Sequence, residues 1–359
     1  MELNLISPIN TLGYGVTSLN ILRALIKERV NVAYWPIGQV QISTEEEQAD
    51  VVAAMENTKT YDKNASCIRI WHQHDLAQFV GKGEHIGFPI FELDTFNKIE
   101  LHHLKSCDKL FVCSEWAKDV LYNQNNWTSP EVDVIPLGVD TSLFKPATSE
   151  HERTIFFNCG KWEVRKGHDI LIKAFIEAFK PEDEVELWLM CDNPFNTDKE
   201  DRDWYSLFDS SELYMKDKIK LIPRVKTHRE VYNIMRQTDC GVFPARAEGW
   251  NLEALEMLAC GKQLIITDYS AHTEFCNSSN TYLLPVTEKE LAFDNKWFFG
   301  QGSWAKLDNV TKRLIITWMR EVHSDKQAGR LKMNINGVET AQKFTWENSA
   351  KRIIECLKV

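Results

Sequence analysis

The chain of 359 residues carries no excess of positive charge. Its 42 lysines and arginines face 52 aspartates and glutamates, for a net charge of −10. General nucleic-acid binding needs basic surface to displace counterions, so that class is disfavoured. A polybasic membrane anchor is disfavoured for the same reason. No apolar run approaches the roughly 20 residues that a membrane-spanning helix needs. The opening MELNLISPIN lacks the basic start and apolar stretch of a signal peptide. None of the nine cysteines (67, 107, 113, 159, 191, 240, 260, 276 and 356) forms a C-x-x-C pair, and their number is odd. Several sit in apolar runs such as FFNCG and LWLMCD. The expectation is buried, reduced thiols in a cytoplasmic protein. In that compartment the Asn-Trp-Thr triplet at 126–128 is inert.

What is present is a long alternation of short apolar runs and helical patterns. LNLISPI, NVAYWPI, CIRIW, HIGFPIF, KLFVCS and VDVIPLG read as strands of a first half. TIFFNCG, VELWLMCD, IKLIPRV, CGVFPAR, QLIITD and TYLLPV read as strands of a second. Unbroken apolar character suits strands buried on both faces of a parallel sheet. Helices fit between them at 16–29, 114–124, 168–180, 228–238 and 252–260. The order predicts an α/β protein with two doubly wound, Rossmann-like domains. The seam is expected in the polar stretch 140–153, with domains at 1–145 and 150–344 and a final helix at about 345–359 belonging to the first. Ligands in such folds gather at the carboxyl ends of the strands, in a cleft.

The stretch AEGWNLEALE, residues 247–256, lies on a strand-to-helix turn of the second half. Backbone N–H groups at Gly249, Trp250, Asn251 and Leu252, with the helix dipole behind them, suit a diphosphate. Gly249 permits close approach. Yet Glu248, Glu253 and Glu256 crowd the same turn. Carboxylates pressed onto phosphate would be repelled, so they must face something else, and sugar hydroxyls are donors they accept from strongly. The plainer reading, that acids favour a helix's first turn, suits Glu253 best. Lys161, Arg165 and Lys166 follow TIFFNCG, and cations there meet the charge that develops on a phosphate leaving group without a metal. Between the first strand and helix, INTLGYG carries Gly13 and Gly15 without the third glycine of a dinucleotide fingerprint. IWHQHDL contributes His72 and His74. Glu92 and Asp94 of IGFPIFELDTF fall on one face of an extended strand end. A zinc site from these two histidines and two acids is an alternative reading; plain structural roles for the histidines need no metal.

Four segments together resemble the family 4 (group 1) glycosyltransferases, in that family's order and across essentially the whole chain. They are VDVIPLGVDTSLFKP, CGKWEVRKGHDILIKAF, PARAEGWNLEALEMLACGKQLIITDYSAHTEF and KFTWENSAKRI. The resemblance implies the GT-B fold and a hexosyltransferase-type enzyme that moves sugar from a nucleotide sugar with retention, forming an α-glycosidic bond without metal or other cofactor. It implies that Glu248 meets the transferred sugar and that Glu256, eight residues on, meets the ribose. Lys161 and Lys166 neutralise the diphosphate, with Arg165 standing in where Lys161 replaces the family arginine. Arg224 and Val225 of LIPRVKTHREVYNIM bracket the base through backbone groups, and Glu274 matches a trailing structural acid. The Gly13–Gly15 loop approaches the diphosphate and acceptor. Glu92 stands where the family commonly has histidine. It is taken as a catalytic candidate with Glu248 and Lys166, while Gly13, Asp94, His72 and His74 are assigned to the acceptor side: a glycan, a lipid-linked glycan, a protein or a nucleobase. The competing readings are a sugar-nucleotide epimerase, a phosphorylase of similar fold, and a non-catalytic carbohydrate- or nucleotide-sugar-binding scaffold.

Overall fold

In a computed structural model, residues 1–124 and 127–358 are described, so Asn126 of the glycosylation triplet lies outside them. The chain forms two compact units. Met1–Gly138 with Phe344–Val359 make the first, and Val139–Lys343 make the second. The divide at Gly138/Val139 lies ahead of the polar stretch 140–153.

In the first unit the elements run β1 (Glu2–Ser7), α1 (Gly13–Lys27), β2 (Asn31–Pro36), α2 (Glu45–Glu56), β3 (Cys67–Arg69), β4 (His85–Gly87), α3 (Lys98–Lys105), β5 (Lys109–Val112), α4 (Glu115–Tyr122) and β6 (Glu131–Val134). The strands form a six-stranded sheet in the order β2-β1-β3-β4-β5-β6, every pair parallel. Leu76, Phe91, Phe96, Leu104, Leu110 and Val132 pack into one of its apolar cores.

The second unit runs β7 (Thr154–Gly160), α5 (His168–Ala178), β8 (Val185–Cys191), α6 (Asp198–Tyr205), α7 (Glu212–Met215), β9 (Ile219–Leu221), α8 (His228–Met235), β10 (Cys240–Phe243), α9 (Leu252–Ala259), β11 (Gln263–Asp268), β12 (Tyr282–Pro285), β13 (Lys289–Phe293), β14 (Phe299–Ala305), α10 (Asn309–Gln327) and α11 (Ile335–Ala341). Its parallel sheet has the order β12-β11-β10-β7-β8-β9. The unbroken apolar runs behave as expected for strands covered on both faces: six of the seven β7 residues are buried. On α10, Ile315, Met319 and Val322 recur at helical spacing and pack into the core beside Phe175 of α5. The final helix, α12 (Trp346–Cys356), packs within the first unit. There Ser349 Oγ donates to the Pro136 carbonyl at 2.6 Å, and Lys109 Nζ to the Cys356 carbonyl at 3.1 Å. Gly138 allows this approach, since a Cβ there would meet Trp346 N at 2.1 Å.

Several strands stop short of the apolar run that announces them. β4 ends two residues before Pro89, β6 two before Pro136, β9 two before Pro223, and β10 immediately before Pro244. Proline has no N–H to give the ladder. Residues 88–97 are therefore irregular rather than strand, and the one-face argument for Glu92 and Asp94 does not hold. The antiparallel β13–β14 hairpin is a further departure from the expected alternation.

Candidate active site

In the second sheet the chain places β8 and β9 on one side of β7, then crosses to build β10, β11 and β12 on the other. The loops leaving β7 and β10 therefore part at the point where strand order reverses, which is where open α/β sheets hold ligands. Two left-handed glycines shape the first loop. At Gly160 (φ 135°) a Cβ would stand 3.0 Å from Lys166 Cδ, so its absence lets Lys166 lie across the end of β7. At Gly167 (φ 73°) a Cβ would stand 2.0 Å from the Pro244 carbonyl oxygen, so the two loops meet backbone to backbone. The Arg246 N–H donates to the Arg165 carbonyl at 2.6 Å across the same seam.

Five charges interlock here. Glu248, 5% exposed, accepts from Arg165 Nη1 at 2.6 Å on one oxygen and faces Lys166 Nζ at 3.0 Å with the other. Arg165 also donates to the Ala247 carbonyl at 2.8 Å and, through Nη2, to Glu163 at 2.8 Å. Lys161 Nζ closes the chain on Glu163 at 2.6 Å. Burial alone would raise the Glu248 carboxyl, but the Arg165 and Lys166 charges outweigh it and hold the group at about 2. Burial would likewise depress Lys166, yet Glu248 and Glu253 keep its ammonium above the ordinary lysine value.

The second loop ends in Asn251, whose φ of 86° makes it the left-handed residue of the turn. Its Oδ1 accepts from the Ala254 N–H at 3.1 Å and so caps α9. The N–H groups of Leu252 and Glu253, the first two of the helix, have no partner among the described residues. Glu256, one turn on, is half-buried, and its carboxylate makes no hydrogen bond or ion pair among the described residues. Its pKa lies well above the carboxylate range, through burial and the neighbouring Glu253.

The first unit has its own reversal point, between β1 and β3. Tyr14 at the start of α1 packs there against Trp71 and His72, with ring centroids 5.5 and 4.7 Å away, and His72 stacks on His74 at 5.2 Å. The Tyr14 hydroxyl donates to the Ile90 carbonyl at 2.7 Å and accepts from the Ile90 N–H at 2.9 Å. It thereby ties the 88–97 loop, with Glu92 and Asp94, to α1. Burial raises the Tyr14 pKa well above its usual value, and the Glu92 charge adds to that. Among the described residues no group of three or more His, Cys, Asp or Glu side chains is arranged to hold a metal ion.

Residues 152–295, which carry the whole β7/β10 site, match the family model "Glycosyl transferases group 1". A protein of Sulfolobus islandicus filamentous virus, provisionally named glycosyltransferase 45, is 22% identical over 285 residues, 75% of this chain and 72% of its own length. Mannosylfructose-phosphate synthase of Agrobacterium fabrum is 23% identical over 252 residues, 64% of this chain and 55% of its own. The solved sucrose-phosphate synthase of Thermosynechococcus elongatus superposes with a TM-score of 0.72 at 16% identity, covering 100% of this chain and 98% of that one. Residues 152–295 are thus similar to group 1 glycosyltransferases, and the chain as a whole has the GT-B fold.

The structure brings Lys161, Arg165, Lys166 and Glu248 together at the carboxyl ends of β7 and β10, with Gly249, Asn251 and Leu252 following in the same loop and Glu256 a turn away. Several details differ from expectation. Arg165 does not stand in for Lys161 on the open side. It is 5% exposed and bonded to both loops, which makes it a cross-link. Trp250 buries its ring against Phe275, centroids 5.1 Å apart, so only its backbone is left for a ligand. Gly13 and Gly15 lie in the first turn of α1, not before it. Gly15 is required by Asn10, whose backbone N would stand 2.3 Å from a Cβ there; Gly13 is open. Arg224 and Val225 lie in the loop after β9, at the sheet's far edge.

Four further residues are not anticipated by the sequence. Glu163 bridges Lys161 and Arg165. Arg246 holds Asp169 through two bonds of 2.9 and 3.0 Å and Glu290 at 3.2 Å, bracing the start of α5 against the hairpin. Tyr14 and His272 complete the set. An acid alternating with bases in KWEVRK was the one available signal, for Glu163.

Proposed function

We propose that this glycosyltransferase moves a hexose from a nucleoside diphosphate sugar to an acceptor with retention, and that it does so without a metal. The observation that carries this is the convergence at one reversal point of Lys166, Lys161 and two open helix N–H groups beside two carboxylates, Glu248 and Glu256. The cations and N–H groups suit the diphosphate. The carboxylates suit hydroxyls, Glu248 those of the sugar and Glu256 those of the ribose. A carboxylate has about four lone-pair sites, so Glu248 keeps capacity for a sugar hydroxyl beyond its two cations. Backbone groups of Arg224 and Val225 bracket the base.

In the proposed reaction the bond from the anomeric carbon to the β-phosphate oxygen breaks as the acceptor oxygen bonds to the same carbon from the same face. The acceptor proton passes to the departing phosphate oxygen, and the anomer is kept. Lys166 and the α9 N–H groups meet negative charge as it grows on the leaving group. Glu248 orients the sugar and faces the positive charge that spreads over the ring. Glu92, Asp94, His72 and His74, held together by Tyr14, receive the acceptor. Cys67, Cys107, Cys159, Cys240, Cys260, Cys276 and Cys356 are buried thiols outside any disulfide, which suits a reducing compartment, the cytoplasm.

The test is a thermal-shift screen over UDP, GDP, ADP and their hexose derivatives, followed by hydrolysis assays with whichever binds. A donor at 100 times its dissociation constant should add about 2.7 kcal/mol of stability, and the matching sugar should be released slowly in the absence of acceptor. No shift and no release with any of them would refute the reading.

A further inference from the structure

The turn 270–272 packs directly beneath the β10–α9 loop and bonds to it at three points. Ser270 Oγ accepts from the Glu248 N–H at 2.9 Å. The Ala271 N–H donates to the Glu248 carbonyl at 3.3 Å. His272 Nε2 stands 2.9 Å from Asn251 Nδ2. His272, Ser270 and Asn251 are all buried. A buried imidazole between these groups has one consistent assignment. Its Nδ1–H donates to the Thr267 carbonyl at 3.0 Å, so Nε2 carries the lone pair that accepts from the Asn251 amide. Thr267 in turn donates to the Ala245 carbonyl at 2.6 Å. An unbroken chain of hydrogen bonds thus runs from the end of β10, through β11 and the 270–272 turn, to the cap of α9.

The need for it lies in Asn251. At φ 86° and ψ 76° a side chain is strained. Here the left-handed turn is held by both ends of the asparagine amide. Oδ1 takes the Ala254 N–H, and Nδ2 is taken by His272. With Ala254 capped, the N–H groups left at the helix start are those of Leu252 and Glu253, and the Asn251 torsion sets where they point. We infer that His272 and Asn251 are positioning residues which, with Ser270, clasp the turn so that these two N–H groups converge on the donor diphosphate. The inference rests on the donor reading above. The low affinity of His272 for a proton, about 4, agrees with the neutral ring the clasp requires; burial is its main cause.

Titration calorimetry with UDP, GDP and ADP, and with the corresponding free nucleosides, tests this. His272→Phe keeps an aromatic ring but removes the acceptor. Its dissociation constant for the nucleoside diphosphate that binds the wild type should rise about tenfold, the usual consequence of losing one buried partner, while its affinity for the nucleoside stays unchanged. His272→Gln, which returns an acceptor oxygen, should recover most of the loss. Should His272→Phe not fold, Asn251→Asp serves in its place, since it keeps the cap oxygen and withdraws the donor; the same selective loss is expected. Wild-type binding with unchanged diphosphate affinity in the variants, or an equal loss for the nucleoside, overturns the clasp alone. No binding of any nucleoside diphosphate by the wild type removes the donor reading and the clasp with it.

Discussion

Arg165 and Glu248 are joined at 2.6 Å inside the protein, and the same arginine nitrogen holds the Ala247 carbonyl at 2.8 Å. The guanidinium therefore spans the two loops that part at the reversal point, with Glu163 on its other arm. Removing one member of such a buried set leaves uncompensated charge. Arg165→Met should cost about 3–5 kcal/mol of unfolding free energy, measured by denaturant titration. A loss below 1 kcal/mol would show that the cross-link is dispensable.

Lys166 is held on the same carboxylate, at 3.0 Å, and across Gly160. In the proposed reaction its contact with the departing diphosphate strengthens as charge develops, so Lys166→Ala should lower kcat more than it raises KM. One such donor is worth on the order of 10²–10³ in rate. Steady-state kinetics decide: a raised KM at unchanged kcat would mean that the lysine serves ground-state binding only.

Glu248→Gln removes the charge that Lys166 and Arg165 share. Transfer should be crippled, because in the proposed reaction this carboxylate orients the sugar. Nucleoside diphosphate affinity should hold or tighten, since Lys166 is no longer drawn to an anion of the protein. A tenfold weaker nucleoside diphosphate in calorimetry would contradict the division of roles.

The strand runs, the two α/β units and the residues around the β7/β10 reversal were legible in the sequence, because apolar burial on both faces leaves unbroken runs and because glycines and charges cluster where chain direction changes. Partnerships were not. Nothing in RKGH says that Arg165 turns inward while Lys166 lies across the end of β7; Gly160 and the carbonyl of Ala247 decide that. The left-handed residue proved to be Asn251, because its amide finds two buried partners, one of them twenty-one residues away. Strand ends were overextended wherever a proline followed. Tyr14 carried no local signal, because the backbone it holds, that of Ile90, lies 76 residues away.

Acid should unfold the protein in two stages. His168 and His272 are held at about 4, mainly by burial. Their unfolded forms bind protons first, so stability falls as pH drops from about 6.5, by roughly 1.4 kcal/mol per pH unit for each. Glu248 is depressed to about 2, and Glu163 and Asp169 are also lowered. Their stabilisation is complete above the ordinary carboxylate value and is lost between that value and their lowered ones. The midpoint of denaturant unfolding should therefore decline below pH 6.5 and more steeply below about 4.5. A flat profile between pH 7 and 5 would contradict the neutral, buried histidines.

Glu256 runs the other way, raised by burial and by Glu253. A ribose hydroxyl that donates to it favours the ionised form, so nucleotide binding should release a proton at mildly acidic pH. Calorimetry at pH 6 in buffers of different ionisation enthalpy reads this directly. Zero net release, with binding intact, would separate Glu256 from the ribose.

The most direct test of the whole account follows the sugar itself. Nucleotide sugars with α-linked hexoses are incubated with the protein in chelator, and the anomeric proton couplings of the earliest product are read by NMR, for the wild type and for Lys166→Ala. The account predicts an α-configured product from the wild type, unaffected by chelator, and on the order of 10²–10³ less of it from the variant. A β-configured product, or activity that chelator abolishes, would contradict it.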